Sequence, residues 1–172
     1  MRLLCLLSLL LLQACEIFGS SDDPAANTQQ FAIETQETAY QAVAAENDDR
    51  FFSFEITATF TNLTNVPTYF VGCRPPQQPL LDIKAGNEWE AVYQPIQLLC
   101  LSEPLRLMPG DTLSLPHVYG ACYPNNNCGP TFDGPVTGTY RLRQFDVYYD
   151  PEGTKPVDVE SLISNTFTLT LP

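Results

Sequence analysis

The sequence has few basic residues. Its 172 residues include 8 Lys and Arg against 20 Asp and Glu, which gives a net charge of −12. A nucleic-acid surface needs clustered positive charge, so this balance argues against a nucleic-acid partner. Charged residues make up only 16% of the chain and hydrophobic residues 44%. That proportion predicts a folded domain with a core of its own.

Motifs for catalysis and metal binding are also lacking. There is a single His, His117, and the sequence contains no Cys-x-x-Cys, no Gly-x-Ser-x-Gly and no phosphate-binding Gly loop. A Ser/His/Asp triad would have to use His117, which lies between Pro116 and Val118 and is typical of a strand-end His. We therefore expect no enzyme, no metal and no cofactor. An unrecognised hydrolase that uses His117 remains an alternative.

No apolar run is long enough to cross a membrane. The longest, residues 3–12, has about ten residues, whereas a hydrocarbon core needs about 20. This run follows Arg2 and ends in Leu12-Gln13-Ala14-Cys15, which resembles the signal of bacterial lipoproteins. The resemblance implies that residues 1–14 are removed and that Cys15 receives a lipid. An ordinary secretory signal is the alternative.

The residues after Cys15 suggest a location and a tether. In enteric lipoproteins an Asp directly after the lipidated Cys retains the protein at the inner membrane, so by resemblance Glu16 favours the outer membrane. Gly, Ser, Asp, Pro and Asn together supply seven of residues 15–30, and the segment shows no hydrophobic periodicity, which predicts a flexible tether. The folded domain is then expected over residues 31–172, held at the bacterial cell envelope.

Strict alternation of apolar and polar residues identifies the clearest strand. Phe52, Phe54, Ile56, Ala58 and Phe60 alternate with polar residues, which predicts a strand with one face on a core and one in water. Further short strands follow, separated by turns such as residues 62–65 and 109–111.

Seven to nine such strands predict an all-β fold, an antiparallel sandwich, with a closed barrel as the alternative. The apolar positions change parity after Leu142, which suggests a bulge near Arg143 or Gln144.

The segments FEITATFTNLTNVPTYF, LMPGD and GTYRL resemble bacterial immunoglobulin-like domains over roughly residues 50–172. The bacterial intracellular proteinase inhibitor domain is one relative with this layout. The resemblance implies an immunoglobulin-like β-sandwich. Its motifs are turn and core positions, so they imply the fold and say little about activity.

The cysteines predict disulfides. Removal of Cys5 with the signal and lipidation of Cys15 leave an even number of thiols in an exported domain: Cys73, Cys100, Cys122 and Cys128. Three pairings are possible, and we favour Cys73–Cys100 with Cys122–Cys128. The second pair would staple one loop. Zinc is the weaker alternative, because metal-ligand spacing is missing.

Two loops are candidates for recognition. Residues 119–135 form a long segment with a polar tip, and a rigid loop of this kind loses little entropy on binding. A plain connection that the staple holds in place is the competing interpretation. The candidate contact residues of this loop are Tyr119, Tyr123, Asn125, Asn126, Asn127 and Phe132. Residues 74–79 (RPPQQP) are a second candidate, for which a plain inter-strand loop is the favoured interpretation.

Together these observations predict a lipid-anchored envelope protein whose sandwich is a non-catalytic binding or structural module. Its expected partners are the membrane, through Cys15, and a protein or glycan of the envelope. An exported protease inhibitor that uses an exposed loop is the alternative, and the unrecognised hydrolase comes third.

Overall fold

The computed structural model describes residues 31–46, 48–96, 98–123, 129–130 and 132–171. The predicted signal, the predicted tether and Cys15 lie outside these residues. The described part contains one short 3₁₀ helix, Val159–Leu162, and twelve strands. The strands are β1 (Ala32–Thr35), β2 (Ala39–Gln41), β3 (Val43–Ala45), β4 (Asp48–Thr61), β5 (Thr68–Gly72), β6 (Leu80–Ala85), β7 (Glu88–Tyr93), β8 (Ser102–Leu107), β9 (Thr112–Cys122), β10 (Gly138–Arg143), β11 (Val147–Tyr148) and β12 (Phe167–Thr170).

Strand β4 is the centre of the first sheet. It pairs antiparallel with β9 over eleven residue pairs, from Phe51–Cys122 to Thr61–Thr112. Its other edge is shared by β1 and β3. The predicted alternation is confirmed, because all five of its predicted inward side chains are buried. β4 therefore contributes one continuous apolar stripe to the core.

Two further sheets complete the fold. One has the strand order β2-β12-β10-β6-β7, and the other has the order β11-β5-β8. All strand pairs are antiparallel except β12–β2. Buried residues from all three sheets form one core cluster. The predicted all-β sandwich is confirmed, and the sheets of the described residues are open, not closed into a barrel.

The structure has more strands than the seven to nine predicted. The additional ones include β2 and β3 with 3 residues each and β11 with 2. Such short strands leave no periodic pattern in a sequence, because alternation needs four or more residues to be seen. Their place is set by pairing with longer neighbours.

A buried tyrosine ties the start of β10 to the chain that precedes it. Tyr140 is fully buried, and its hydroxyl donates hydrogen bonds to the carbonyls of Pro135 and Val136. The tyrosine corner of immunoglobulin-like sandwiches has the same arrangement, in which a Tyr hydroxyl reaches back to the backbone a few residues upstream. Burial raises the pKa of Tyr140, so this hydroxyl stays a donor.

At the predicted bulge near Arg143 or Gln144, the chain instead leaves the five-stranded sheet and joins the three-stranded sheet. β10 ends at Arg143, and the chain then pairs with β5 through Val147, which lies opposite Phe70. Asp146, just before this switch, has a positive φ of 61°. A left-handed residue turns the backbone sharply, which explains why the apolar positions change parity here.

A buried asparagine organises the corner where β4 passes to β5. The Asn62 amide nitrogen donates to the carbonyls of Val66 and Leu107, and its side-chain oxygen accepts from the backbone N–H and the hydroxyl of Thr64. Its own backbone is paired with Gly110 and Asp111. Asn62 therefore joins the β4–β5 turn to the β8–β9 turn. We call this the Asn62 corner.

Candidate functional site

The predicted disulfide Cys73–Cys100 is present. Cys73 directly follows β5 and Cys100 precedes β8, and the two Cα atoms are 4.8 Å apart. The ladder pairs Gly72 with Ser102, so the disulfide closes the end of the β5–β8 ladder that lies away from the Asn62 corner. The segment that joins β7 to β8 is thereby fastened to the sheet.

The second predicted pair is only half within the described residues. Cys122 is held in a disulfide, and Cys128 lies outside the described residues, so the pairing Cys122–Cys128 stays a prediction. The backbone around Cys122 is tied to the following segment. Its N–H donates to the Pro130 carbonyl at 2.9 Å, and its carbonyl accepts from the Phe132 N–H at 3.4 Å.

Two residues of the predicted binding loop belong to the core, and for them the prediction is wrong. Tyr119 is completely buried in β9, stacked on Phe54 with ring centroids 5.2 Å apart. Phe132 is also buried, with its ring 5.4 Å from that of Phe52. β9 extends to Cys122, so Tyr119 lies on the inward face of a strand. Side chains buried in this way cannot contact a partner.

The remaining predicted contact residues have different outcomes. Tyr123 is partly buried, and its ring lies 4.8 Å from the ring of Phe52. It can present one edge at the surface. Asn125, Asn126 and Asn127 lie outside the described residues, so their role in recognition stays a prediction.

A cleft lies beside this segment. It has a volume of about 410 Å³ and is lined by Ala91, Val92, Tyr93, Gln94, Pro130 and Asp133. One wall is the end of β7 and the other is formed by Pro130 and Asp133, and the two walls are joined by a hydrogen bond of 2.8 Å from the Asp133 N–H to the Val92 carbonyl. Gln94 and Asp133 are exposed, so the cleft offers an amide and a carboxylate to a polar ligand.

Burial of Tyr93 stabilises the floor of the cleft. Its hydroxyl donates to the Gly120 carbonyl at 3.3 Å, and its ring lies 5.5 Å from Tyr119. Burial raises the pKa of Tyr93, so the phenol remains a neutral donor at physiological pH. The aromatic residues predicted as contacts therefore support the cleft from below.

Next to Cys100 lies a group of exposed apolar side chains that the sequence analysis did not identify. The exposed fractions are 75% for Ile96, 64% for Leu98, and 106% for both Leu99 and Leu101. We call these four residues the apolar patch. The signal that could have found it is the run from Ala91 to Leu101, which contains no charged residue.

Residues 74–79 are held by their glutamines. The Gln77 side chain donates to the Asp146 carboxylate at 3.2 Å, and the Gln78 side chain donates to the Val118 carbonyl at 3.0 Å. The Gln78 contact covers part of the open edge of β9. These bonds support the interpretation of residues 74–79 as an inter-strand loop that seals the sandwich. They do not favour the alternative, a recognition segment.

His117 lies in the middle of β9, not at a strand end as predicted. It is opposite Ile56, is 7% exposed and makes an edge contact with Phe60 at 6.2 Å. Its Nε2 has no hydrogen-bond partner, and burial lowers its pKa to about 4. A general base must reach a substrate, so these surroundings lend the hydrolase alternative no support, and it stays untested.

Sequence reasoning also missed a charged cluster on the five-stranded sheet. Asp82 is nearly buried, and its carboxylate accepts from Arg141 at 3.3 Å and from Arg143 at 2.9 Å. The Arg141 guanidinium lies 4.4 Å from the centre of the Trp89 ring. The hydrogen bond that Arg143 donates to the Asp82 carboxylate raises the pKa of Arg143. The cluster therefore links β6, β7 and β10. Both Arg side chains are already paired with Asp82.

No group of three or more His, Cys, Asp or Glu side chains that could hold a metal occurs within the part of the chain that the structure describes. In that same part, no helix has the length and apolar character to cross a membrane. No protein-family model and no curated protein matches the chain.

Proposed function

We propose that this protein is a lipid-anchored component of the bacterial cell envelope, in which the β-sandwich acts as a non-catalytic binding module. The observation that carries the binding role is the cleft between the end of β7 and the residues Pro130 and Asp133. In this cleft the exposed Gln94 amide and the exposed Asp133 carboxylate lie beside the buried Tyr93 ring.

The anchor rests on the sequence. Leu12 and Ala14 stand at the positions before Cys15 where a lipoprotein signal has an aliphatic and a small residue. Two or three acyl chains on Cys15 would anchor the chain stably without a membrane-spanning helix. Glu16 favours the outer membrane.

The cleft suits a polar partner such as a glycan or an extended peptide. Gln94 offers both a donor and an acceptor, and Asp133 accepts hydrogen bonds. The Asp133 backbone is fixed to Val92, so its side chain is presented without a large ordering cost. This arrangement binds without needing a reactive group.

Partner capture tests the binding role. The mature protein is immobilised and exposed to envelope extract, and the retained protein and glycan are compared with those retained by Gln94→Ala/Asp133→Ala. The matched control is Gln41→Ala/Glu46→Ala, which removes one exposed amide and one exposed carboxylate elsewhere. We expect the cleft variant to retain about tenfold less, a loss typical of two hydrogen bonds. Equal retention by both variants would refute the cleft as the binding site.

Membrane fractionation tests the anchor separately. The wild type should sediment with membranes, and Cys15→Ser should lose firm attachment because no thiol remains to be lipidated. If Cys15→Ser stays as tightly bound as the wild type, the anchor proposal fails while the binding role stands.

A further inference from the structure

The apolar patch is the least explained surface among the described residues. Leu99 and Leu101 project fully into solvent, and Ile96 and Leu98 are mostly exposed. A fully buried Leu gains roughly 1.5–3 kcal/mol over an exposed one, so four such side chains in one short segment forgo a large stabilisation. Clustered exposed apolar side chains mark interaction sites.

The patch is braced. Cys100 stands between Leu99 and Leu101, and its disulfide fastens it to the end of β5. The Sγ atom of Cys73 also lies 3.4 Å from the Leu98 carbonyl oxygen. The patch is therefore presented by a backbone that is covalently fixed to the sandwich, which lowers the entropy cost of docking.

The chain enters the domain at the Asn62 corner, because Ala32 lies opposite Thr61, and the tether is long enough to reach the other end. Phe31, the first described residue, packs against Phe70 of β5 with ring centroids 6.1 Å apart. Phe70 is three residues before Cys73, roughly 10 Å along an extended strand. Residues 15–30 span at most about 55 Å when extended. A lipid on Cys15 would thus hold the patch within reach of the same bilayer.

The patch itself is uncharged. The chain is strongly acidic overall, yet residues 91–101 carry no charge. Two exposed charged residues lie close by in the chain: Arg74, next to Cys73, which can face lipid phosphates, and Glu103, two residues after Leu101, which would stay in the water. The patch projects from the surface, a shape that a bilayer accepts without a complementary groove.

We propose that the apolar patch inserts into the headgroup–acyl boundary of the bilayer in which Cys15 is anchored. This second attachment rests on the proposed lipid anchor and deepens it. One acyl anchor on a flexible tether leaves the domain free to rotate, whereas two contacts fix its orientation and hence the direction in which the cleft opens.

Quenching by brominated lipid tests the insertion. The full lipidated protein carrying Leu99→Trp is reconstituted into vesicles of phosphatidylethanolamine and phosphatidylglycerol, with and without brominated acyl chains. The matched control is Leu63→Trp at the Asn62 corner, where the native Leu is also exposed. Wild-type protein gives the contribution of Trp89. We expect the Trp introduced at position 99 to be quenched at least about twofold more than the one at position 63, because only the former would enter the acyl boundary.

The outcomes separate the two proposals. Intact mass of the same sample reports whether Cys15 carries lipid. A lipidated protein whose introduced Trp at position 99 is no more quenched than the control overturns the insertion and leaves the anchor standing. Shielding of that Trp by a co-purifying protein instead of lipid also overturns it. An unlipidated Cys15 refutes the anchor, and vesicles added to that protein then test the patch alone, with absence of quenching again counting against insertion.

Discussion

The two ends of the β5–β8 ladder are held together in different ways. At the Asn62 corner a buried amide pairs with backbone groups of two turns, and every side-chain polar atom of Asn62 has a partner. At the other end, one covalent bond joins Cys73 to Cys100. Beside it, four apolar side chains point into solvent. The first end pairs the polar groups of Asn62 within the chain, and the second end leaves its apolar side chains in solvent.

This difference shows where fold and function separate. At the Asn62 corner the polar groups of Asn62 are paired within the chain, and the apolar side chains there are only about half exposed: Leu63 49%, Val66 43% and Met108 43%. The disulfide end keeps an unfavourable surface although a covalent bond holds it in place. We infer that the disulfide replaces the packing that those apolar side chains would otherwise supply, which leaves them available for contact with a partner.

Four variants test the comparison between the two ends.

The largest effect is expected from removing the disulfide. Cys73 and Cys100 are 27 residues apart, and the chain-entropy model gives a stabilisation of about 3.5 kcal/mol for a loop of this length. Urea unfolding should show Cys73→Ser/Cys100→Ser less stable by this amount. A loss below about 1 kcal/mol would mean that the disulfide end is held by other contacts.

Nearly as large a loss is expected at the opposite end. Asn62→Ala removes two donors and one acceptor and leaves buried carbonyls unsatisfied, which should cost about 3 kcal/mol. The control Asn65→Ala lies in the same turn but is exposed, so it should change the free energy of unfolding by less than about 0.5 kcal/mol. Equal values for the two variants would contradict the role given to Asn62.

His117 contrasts with Asn62 because its Nε2 is buried without a partner. Its folded-state pKa of about 4 lies below the usual histidine pKa of 6.5. The unfolded chain therefore binds the proton more readily, so stability is present above pH 6.5 and is lost as the pH falls toward 4. Between pH 7.5 and 5 this amounts to about 2 kcal/mol.

The variant His117→Leu should lack that part of the acid loss. Urea unfolding of both proteins at pH 7.5 and 5 gives the difference directly, because carboxylate titrations are common to the two. Parallel stability curves would show that His117 does not titrate as its burial implies.

The smallest effect is expected at the apolar patch. Leu98→Ser/Leu99→Ser should alter the free energy of unfolding by less than about 0.5 kcal/mol, since neither side chain is packed. The buried control Leu142→Ala should cost about 3 kcal/mol. A patch variant that loses more than about 1 kcal/mol would show that these leucines serve the fold.

Much of this fold could be predicted from local pattern. Alternation over ten residues identified β4, and an even number of thiols in a chain predicted to be exported led to the pair Cys73–Cys100. The core role of Tyr119 and Phe132 could not be seen, because it depends on how far β9 continues and on which side chains meet across the sandwich.

The site was harder to predict for the same physical reason. The cleft lies between β7 and the residues Pro130 and Asp133, and the Asp82 cluster joins β6 to β10, so both depend on pairing between distant segments. The composition of the uncharged run that contains the apolar patch does not show whether the run is buried, and only the structure shows the patch exposed. Burial is a tertiary property that hydrophobicity alone does not determine.

We propose that this domain acts at a membrane to which a lipid on Cys15 attaches it. Intact mass spectrometry of the mature protein, purified from the membranes of the cells that produce it, tests this most directly. The account predicts a chain that begins at Cys15 and carries the added mass of a diacylglyceryl group, which Cys15→Ser lacks. A chain cleaved elsewhere, or one with an unmodified Cys15, would contradict it.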